Sequence, residues 1–318
     1  MIELTRGGKA PLIVNNPVLL ASGVAGYDAA AYAGLLDLSK LGAIVTNPIT
    51  WRPRRAAHGP RVVPLPAGVL IHTGLPNPGV RRVIRDYRAR WARSPVPIIA
   101  HVVATTPEDV AACAAELDRC ESVAAVELGV HDQAAQRDLH DIIQAARDAT
   151  WLPVLVRLPL YNALELAPGA EAAGAGAVVV AGPPRGTARD PVSGQLAGGR
   201  IYGPSQTAQA LRAVGQVARA VTIPVIGCGG IHTPDHARDF IEAGAVAVQI
   251  DSLLWTQPHM VEVIARNLGG LELTRAAGAL ADEWEPGMGE TMRKRREWDK
   301  PHRPLDVRPL RPPDDLPE

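Results

Sequence analysis

Short apolar runs recur at regular intervals along this chain. Eight of them are almost continuously apolar and rich in β-branched residues, at residues 17–22, 43–49, 97–103, 124–130, 153–160, 177–182, 224–230 and 245–251. A continuous apolar run indicates a strand that is buried on both faces, as in a parallel sheet. Ala-rich segments with helical spacing separate the runs, among them 107–120, 133–149, 205–220 and 233–243.

This alternation predicts a (β/α)8 TIM barrel. Two of the helix starts carry clear signals, since Thr106 and Thr233 stand at the N-cap position and each is followed by a proline. Eight strand–helix repeats favour a closed parallel barrel over the alternative, an open doubly wound sheet.

Two long insertions interrupt the repeat, residues 50–80 after the second strand and 183–204 after the sixth. Because barrels build their sites at the carboxyl ends of the strands, both insertions are expected at the mouth.

We expect residues 1–270 to form the barrel and residues 271–318 to form an extended, charged and Pro-rich C-terminal tail. Its residues Trp284 and Trp298 are expected to anchor it on the barrel, with a partner chain as the alternative.

Charge and cysteine content exclude several classes of protein. Lys plus Arg equals Asp plus Glu at 33 each, so no net field attracts nucleic acid or an anionic membrane. Three cysteines without metal-ligand spacing argue against a disulfide framework or a zinc site. The N-terminus has no apolar signal core, and we find no uncharged apolar stretch of about 18 residues, so a cytoplasmic protein is expected.

An ordered set of motifs then points to one family. The motifs are Asn16-Pro17-Val18, Ala21-Ser22-Gly23, Leu41-Gly42-Ala43, Pro60-Arg61, Pro66-Ala67-Gly68, Gly74-Leu75, Asn77-Pro78-Gly79, Pro97-Ile98-Ile99-Ala100, Glu127-Leu128, Ile223-Pro224-Val225-Ile226-Gly227, Gly229-Gly230-Ile231 and Glu242-Ala243-Gly244-Ala245. In order and spacing, over residues 1–268, the chain resembles class 1 dihydroorotate dehydrogenases. The resemblance implies a barrel with an N-terminal β-hairpin, flavin mononucleotide (FMN) over the strand ends, and oxidation of a dihydropyrimidine in pyrimidine biosynthesis.

The resemblance also assigns cofactor-binding positions. Gly229 and Gly230 would let backbone N–H groups approach the flavin phosphate, because neither has a Cβ. Arg157 replaces a family Lys beneath the flavin and would stabilise negative charge on the reduced ring. The full predicted set is Ala21, Ser22, Gly23, Asn47, His101, Arg157, Gly203, Gly229, Gly230 and Ser252.

The substrate-reading positions depart from the family pattern. Asn47 stands at the position of a Lys, and Ile71, Gly129 and either Ala181 or Gly182 stand at positions of Asn. Leaving buried polar groups of orotate without partners costs about 1–3 kcal/mol each. These replacements predict that useful recognition of dihydroorotate is lost.

The family's base loop after strand four is shorter here. Asp132 is the candidate carboxylate base, with His131 as a proton shuttle. An Asp just before a helix is more often an N-cap, and that interpretation is favoured here.

Strand eight ends in Asp251-Ser252, where the family has Gly-Thr. A carboxylate about 4 Å from a phosphate is repelled by roughly 1–4 kcal/mol. Either Asp251 turns away or the bound group is not a phosphate, and Ser252 is expected to cap the following helix.

No metal is predicted. A site built from His72, His101, His131 and Asp132 is conceivable as an open imidazole–carboxylate site. No local ligand spacing supports it.

The function that follows is a flavin-dependent oxidoreductase acting on a small molecule other than dihydroorotate. A degenerate, non-catalytic barrel that binds a ligand or partner, and a genuine dihydroorotate dehydrogenase, are the alternatives. The resemblance implies a homodimer, and the C-terminal tail is a possible contact for a partner subunit.

Overall fold

A computed structural model describes residues 1–6 and 11–276, with side chains to residue 269. In chain order its strands are β1 (Ile2–Glu3), β2 (Ile13–Val14), β3 (Val18–Leu20), β4 (Ala43–Val45), β5 (Val62–Leu65), β6 (Gly68–Ile71), β7 (Ile98–Val103), β8 (Ala125–Gly129), β9 (Val154–Pro159), β10 (Ala177–Gly182), β11 (Arg185–Arg189), β12 (Leu196–Tyr202), β13 (Val225–Cys228) and β14 (Ala247–Ile250). Its helices are α1 (Val80–Trp91), α2 (Pro107–Asp118), α3 (Gln136–Ala149), α4 (Ala163–Ala172), α5 (Thr207–Ala220), α6 (Pro234–Glu242), α7 (Leu253–Thr256) and α8 (Pro258–Ala276).

The predicted barrel is confirmed. Eight strands close it in the order β10-β13-β14-β3-β4-β7-β8-β9, and each strand pairs in parallel with its neighbours. Each one falls inside an apolar run of the sequence, because a strand enclosed by helices must be apolar on both faces. Strands β1 and β2 pair antiparallel and form the expected N-terminal hairpin.

Two helix starts behave as their sequences predict. The Thr106 side chain accepts a hydrogen bond from Asp109 N at 3.2 Å, and Thr233 accepts one from His236 N at 3.1 Å. Each bond satisfies an amide that has no partner within its helix.

The two insertions come together in a second sheet, which we call the mouth sheet. It has the antiparallel order β11-β12-β6-β5, and Ile201 of β12 pairs with Leu70 of β6. Val63, Leu70 and Ala197 form its own small core. Because the insertions follow barrel strands β4 and β10, this sheet holds both of them at the carboxyl end of the barrel.

Residues Met1–Gly269 form one compact unit, and a second unit begins at Gly270. The prediction that Trp284 and Trp298 anchor the tail falls outside the described residues. Among the helices that the structure describes, none is long and apolar enough to cross a membrane.

Candidate active site

A buried polar cluster lies across three barrel strands. Glu127 of β8 is fully buried, and its Oε1 lies 2.7 Å from His101 Nδ1 on the neighbouring β7. Gln249 of β14 donates to the other oxygen, Glu127 Oε2, at 2.5 Å. Burial raises the pKa of Glu127, but the hydrogen bond and electrostatic attraction of His101, the charge of Arg157 and the hydrogen bond from Gln249 outweigh it and hold the pKa below its usual value. Glu127 is therefore an ionised carboxylate fixed at both oxygens.

Arg157 of β9 supplies a buried cation next to this carboxylate. Its Nη2 donates to Cys228 Sγ at 3.3 Å, while its Nε is buried without a partner among the described residues. A Cβ placed on Gly182, at the end of β10, would lie 3.9 Å from that Nε. A buried N–H without a partner is costly, so this donor suits an acceptor on a bound molecule. We call His101, Glu127, Gln249 and Arg157 the His101 cluster.

The first three barrel strands bring Ser22, Asn47 and His101 to one side of the mouth. Ser22 Oγ donates to Thr46 O at 2.9 Å, and His101 N donates to Thr46 Oγ1 at 3.0 Å. Asn47 N donates to Gly26 O at 2.7 Å, but Asn47 Oδ1 is buried without a partner among the described residues. Asn47 thus provides a second unsatisfied polar atom for a ligand.

The glycine turn after β13 is buried and has positive φ angles, +117° at Gly229 and +72° at Gly230. A Cβ on Gly230 would lie 2.6 Å from Thr207 N and 3.0 Å from Gly203 O. Both the φ angle and the lack of space therefore require glycine at position 230. The turn packs against the start of α5, where Gly203 also has a positive φ of +137°.

Asp251 turns onto its own neighbour. Its Oδ1 accepts hydrogen bonds from the backbone N and the Oγ of Ser252. Ser252 Oγ also lies 3.0 Å from His232 Nε2, and it makes no cap bond to α7, so the prediction that Ser252 caps this helix is wrong. The Ser252 hydroxyl is therefore placed between Asp251 and His232 and not over the first amides of α7.

Asp132 is held by the mouth sheet. Its carboxylate pairs with Arg185 Nε at 2.6 Å and Arg200 Nη1 at 2.5 Å, both on the β11–β12 hairpin. The predicted N-cap role is wrong, because α3 begins at Gln136 with Ala135 as an uncapped N-cap residue. Burial raises the pKa of Asp132, yet the bonds from Arg200 and Arg185 lower it below the usual value overall.

Three other side chains could in principle exchange a proton or bind a metal, namely His131, Cys228 and His72. His131 is exposed, and its Nδ1 accepts a hydrogen bond from Gln133 N at 3.2 Å. Burial raises the pKa of the Cys228 thiol to about 12, so it is protonated at neutral pH. His72 is also exposed, and no group of three or more metal-ligating side chains is found in the part of the chain that the structure describes.

Several residues of this site escaped the sequence argument. Glu127 and Gln249 each interrupt an otherwise apolar strand, a signal that is visible in the sequence and indicates a buried polar role. Arg185 and Arg200 gave no such signal, because only folding brings the 183–204 insertion to Asp132.

The residues present fit a flavin. The unpartnered Arg157 Nε can donate to an acceptor of a bound ring, and the unpartnered Asn47 Oδ1 can accept from a donor of it. Asp251 is engaged with Ser252 through Oδ1, a bond that tests neither of the two alternatives stated for Asp251. The flavin-binding roles of all ten predicted residues stay predictions: Ala21, Ser22, Gly23, Asn47, His101, Arg157, Gly203, Gly229, Gly230 and Ser252.

Comparison with known proteins identifies the relatives of this chain. The sequence profile of the dihydroorotate dehydrogenase family matches residues 11–271. A protein of Desulforudis audaxviator named dihydroorotate dehydrogenase B (NAD(+)), catalytic subunit, is 35% identical over 276 residues, which cover 81% of this chain and 89% of the relative. Proteins with the same name from Geotalea uraniireducens and Trichlorobacter lovleyi are 32% and 35% identical, covering 86% and 85% of this chain and 93% of each relative.

These findings contradict the main functional prediction from the sequence. The relatives match over most of their length and are named as dihydroorotate dehydrogenases. This contradicts both the prediction of another substrate and the alternative of a barrel without catalysis. Counting lost side chains one by one leaves out the packing between positions. A Cβ at Gly129 would lie 2.5 Å from His101 Nε2, so His101 in this place requires a glycine beside it. Because the family profile matches residues 11–271 and the relatives match over most of their own length, the chain belongs to the dihydroorotate dehydrogenase family.

Proposed function

We propose that this chain is the catalytic barrel of a flavin-dependent dihydroorotate dehydrogenase that converts dihydroorotate to orotate. The observation that carries the proposal is the buried Arg157, whose unpartnered Nε lies near Gly182 at the carboxyl end of the barrel. Family membership supplies the substrate, and the buried cation supplies a reason for a redox cofactor that gains negative charge.

FMN would be held by the mouth residues already described. Arg157 would bind and stabilise the reduced ring, Asn47 would offer its free carbonyl, and the turn at Gly229 and Gly230 would pack beside the phosphate end. When bound, the flavin accepts a hydride from the substrate. The protein contributes orientation and fixed charge, and the mouth sheet shields the site from water.

Substrate recognition needs a cation for the carboxylate, since the family Lys is Asn47 here. Arg200 is a candidate from this chain. It is partly buried on β12, and its Nη1 also donates to Pro183 O at 2.8 Å. That bond anchors the guanidinium at the end of β10. The bonds to Asp132 and Pro183 use only part of its five N–H donors, so the others can bind a substrate carboxylate.

The name of the relatives includes a catalytic subunit and NAD(+), so we further propose a partner subunit that passes electrons to NAD(+). A homodimer, a contact through residues 271–318 and a cytoplasmic location stay predictions.

Anaerobic mixing of the flavin-loaded protein with dihydroorotate tests the proposed function. The flavin absorbance near 450 nm should be lost with dihydroorotate and retained with dihydrouracil, which lacks the carboxylate. Retained absorbance with dihydroorotate in a protein whose flavin dithionite does reduce would contradict the proposal.

Two variants test the cofactor site independently of turnover. Gly230→Asp should abolish flavin retention, because a side chain there meets Thr207 N and would strain the turn. Arg157→Met should weaken flavin binding, whereas Arg157→Lys, the matched control, keeps the cation and should bind more nearly as the wild type does. Equal flavin affinity in Arg157→Met and wild type would remove Arg157 from the cofactor site.

A further inference from the structure

Dihydroorotate oxidation needs a base, and neither Asp132, the candidate from the sequence, nor the buried thiol of Cys228 is well suited to that role. Asp132 is neutralised by two arginines, and the Cys228 thiol stays protonated because of burial. A proton acceptor must have a free lone pair within reach of the substrate.

His101 has such a lone pair. Its Nδ1 lies 2.7 Å from the ionised Glu127, so Nδ1 carries the hydrogen, and in the neutral imidazole Nε2 is then the acceptor. Gln249 holds the second oxygen of Glu127, which keeps the carboxylate from rotating away from the imidazole. A carboxylate that fixes the tautomer and orientation of a histidine is the arrangement found behind general-base histidines.

Nε2 is also in the right place. His101 lies on β7 near its carboxyl end, and Nε2 occupies space that a side chain at Gly129, the last residue of β8, would fill. The His101 side chain is 9% exposed, and Nε2 has no hydrogen-bond partner among the residues that the structure describes. With Nδ1 facing the buried Glu127, Nε2 is the ring nitrogen on the opposite side, at the end of the barrel where substrates bind.

We propose that His101 Nε2 is the base that removes the proton from the substrate, with Glu127 as its positioning residue. The proposal rests on the proposed function. The ring carbon next to the substrate carbonyl gives its proton to Nε2, and that C–H electron pair becomes the new C=C bond as the neighbouring carbon releases a hydride to the flavin. The imidazolium then returns the proton to solvent.

Charges on the neighbouring strands suit this role. Glu127 faces His101 from β8, Arg157 from β9 lies close enough to Glu127 to lower its pKa, and Gln249 from β14 is neutral. Glu127 favours the imidazolium that forms, and Arg157 keeps Glu127 from taking the proton itself. Flavin reduction should slow as the pH falls, because a protonated His101 has no lone pair.

The rate of flavin reduction by dihydroorotate in wild type, His101→Gln and Glu127→Gln provides one test. His101→Gln should reduce the rate by roughly 10²–10⁴-fold and remove its dependence on histidine protonation. Glu127→Gln should retain the step but with an altered pH profile. His140→Gln, which changes an exposed histidine on α3, is the matched control and should behave as wild type. The rates are compared per bound flavin, and dithionite should reduce the bound flavin in all four proteins.

Nitrogen NMR of the His101 imidazole in the wild-type holoprotein provides a second readout. It requires no turnover, and it does not depend on whether a substituted protein folds. We expect protonated Nδ1 and unprotonated Nε2 at pH 8. A ring protonated at Nε2 or at both nitrogens would overturn the proposal, as would His101→Gln with an unchanged rate. Failure of the wild type to reduce its flavin with dihydroorotate would overturn the proposed function as well, so the two failures are distinguishable.

Discussion

The two charged regions of this site differ in how the protein holds them. In the His101 cluster, Glu127 and Arg157 are almost completely buried, and both oxygens of Glu127 are bound. In the ion pairs of Asp132, Arg185 is 57% exposed and Asp132 is 24% exposed. Buried charges are sensitive to the loss of any partner, whereas solvent replaces a lost partner at the surface. The comparison indicates that the inner cluster fixes the chemistry and the outer ion pairs fix the position of the hairpin.

Removing Glu127 should have the largest effect on stability. Glu127→Leu removes the buried carboxylate that holds His101 and Gln249 and that favours the charge of Arg157, and breaking a buried pair such as Glu127–His101 costs about 3–5 kcal/mol. Urea unfolding of the variant against wild type measures the loss. Glu127→Gln, which keeps the shape and a hydrogen-bond acceptor, should lose less. A loss below 1 kcal/mol in Glu127→Leu would show that the inner cluster is no more sensitive than the surface.

Positions 101 and 129 should prove to be coupled. Gly129→Ala places a methyl group against the His101 ring, and overpacking of this kind costs about 1–3 kcal/mol. The same change in a His101→Asn background should cost less, because the ring is absent. A double-mutant cycle from urea unfolding gives the coupling free energy. Additive effects on the free energy of unfolding would mean that the two positions are not coupled.

Removing the outer ion pairs should have a small effect on stability. Asp132→Asn should lower the free energy of unfolding by about 0.2–1 kcal/mol, as for other exposed pairs. Arg219→Ala is the control, since its side chain lies on α5 away from Asp132. A loss of several kcal/mol in Asp132→Asn would contradict the distinction between the two regions.

The same pair predicts a dependence on pH. The folded-state pKa of Asp132 is lowered, so its contribution is present above its unfolded pKa of about 3.9 and is lost as the pH falls through the folded value. The difference in unfolding free energy between wild type and Asp132→Asn should be constant from pH 5 to 7 and should shrink below about pH 4. A difference that grows toward low pH would have the wrong sign.

The sequence predicted the barrel well because the signals of the fold are local. Apolar runs, the caps at Thr106 and Thr233, and the long insertions can all be read within a few residues of the chain. The prediction that Asp132 caps α3 was wrong because its carboxylate pairs instead with arginines that are distant in the sequence. Arg200 lies 68 residues further along the chain and reaches Asp132 through strand pairing that no local pattern encodes.

The site was predicted less completely, for a related reason. Asn47, Arg157 and the glycine turn were found by position in the family pattern, and the structure places polar atoms without partners at two of them. His101 and Gly129 lie on adjacent strands, and the close approach of the His101 ring to Gly129 cannot be seen when single positions are compared one at a time. Glu127 and Gln249 were visible as polar residues in apolar strands, and their pairing required the closed barrel.

The most direct test of the central claim, that this altered mouth still oxidises dihydroorotate, is chemical analysis of the product. Flavin-loaded protein is incubated with dihydroorotate and an artificial electron acceptor, and orotate is measured by chromatography and mass. We predict orotate in equal molar amount to the acceptor reduced by two electrons. Unchanged dihydroorotate, from protein whose flavin is bound and can be reduced by dithionite, would contradict the claim.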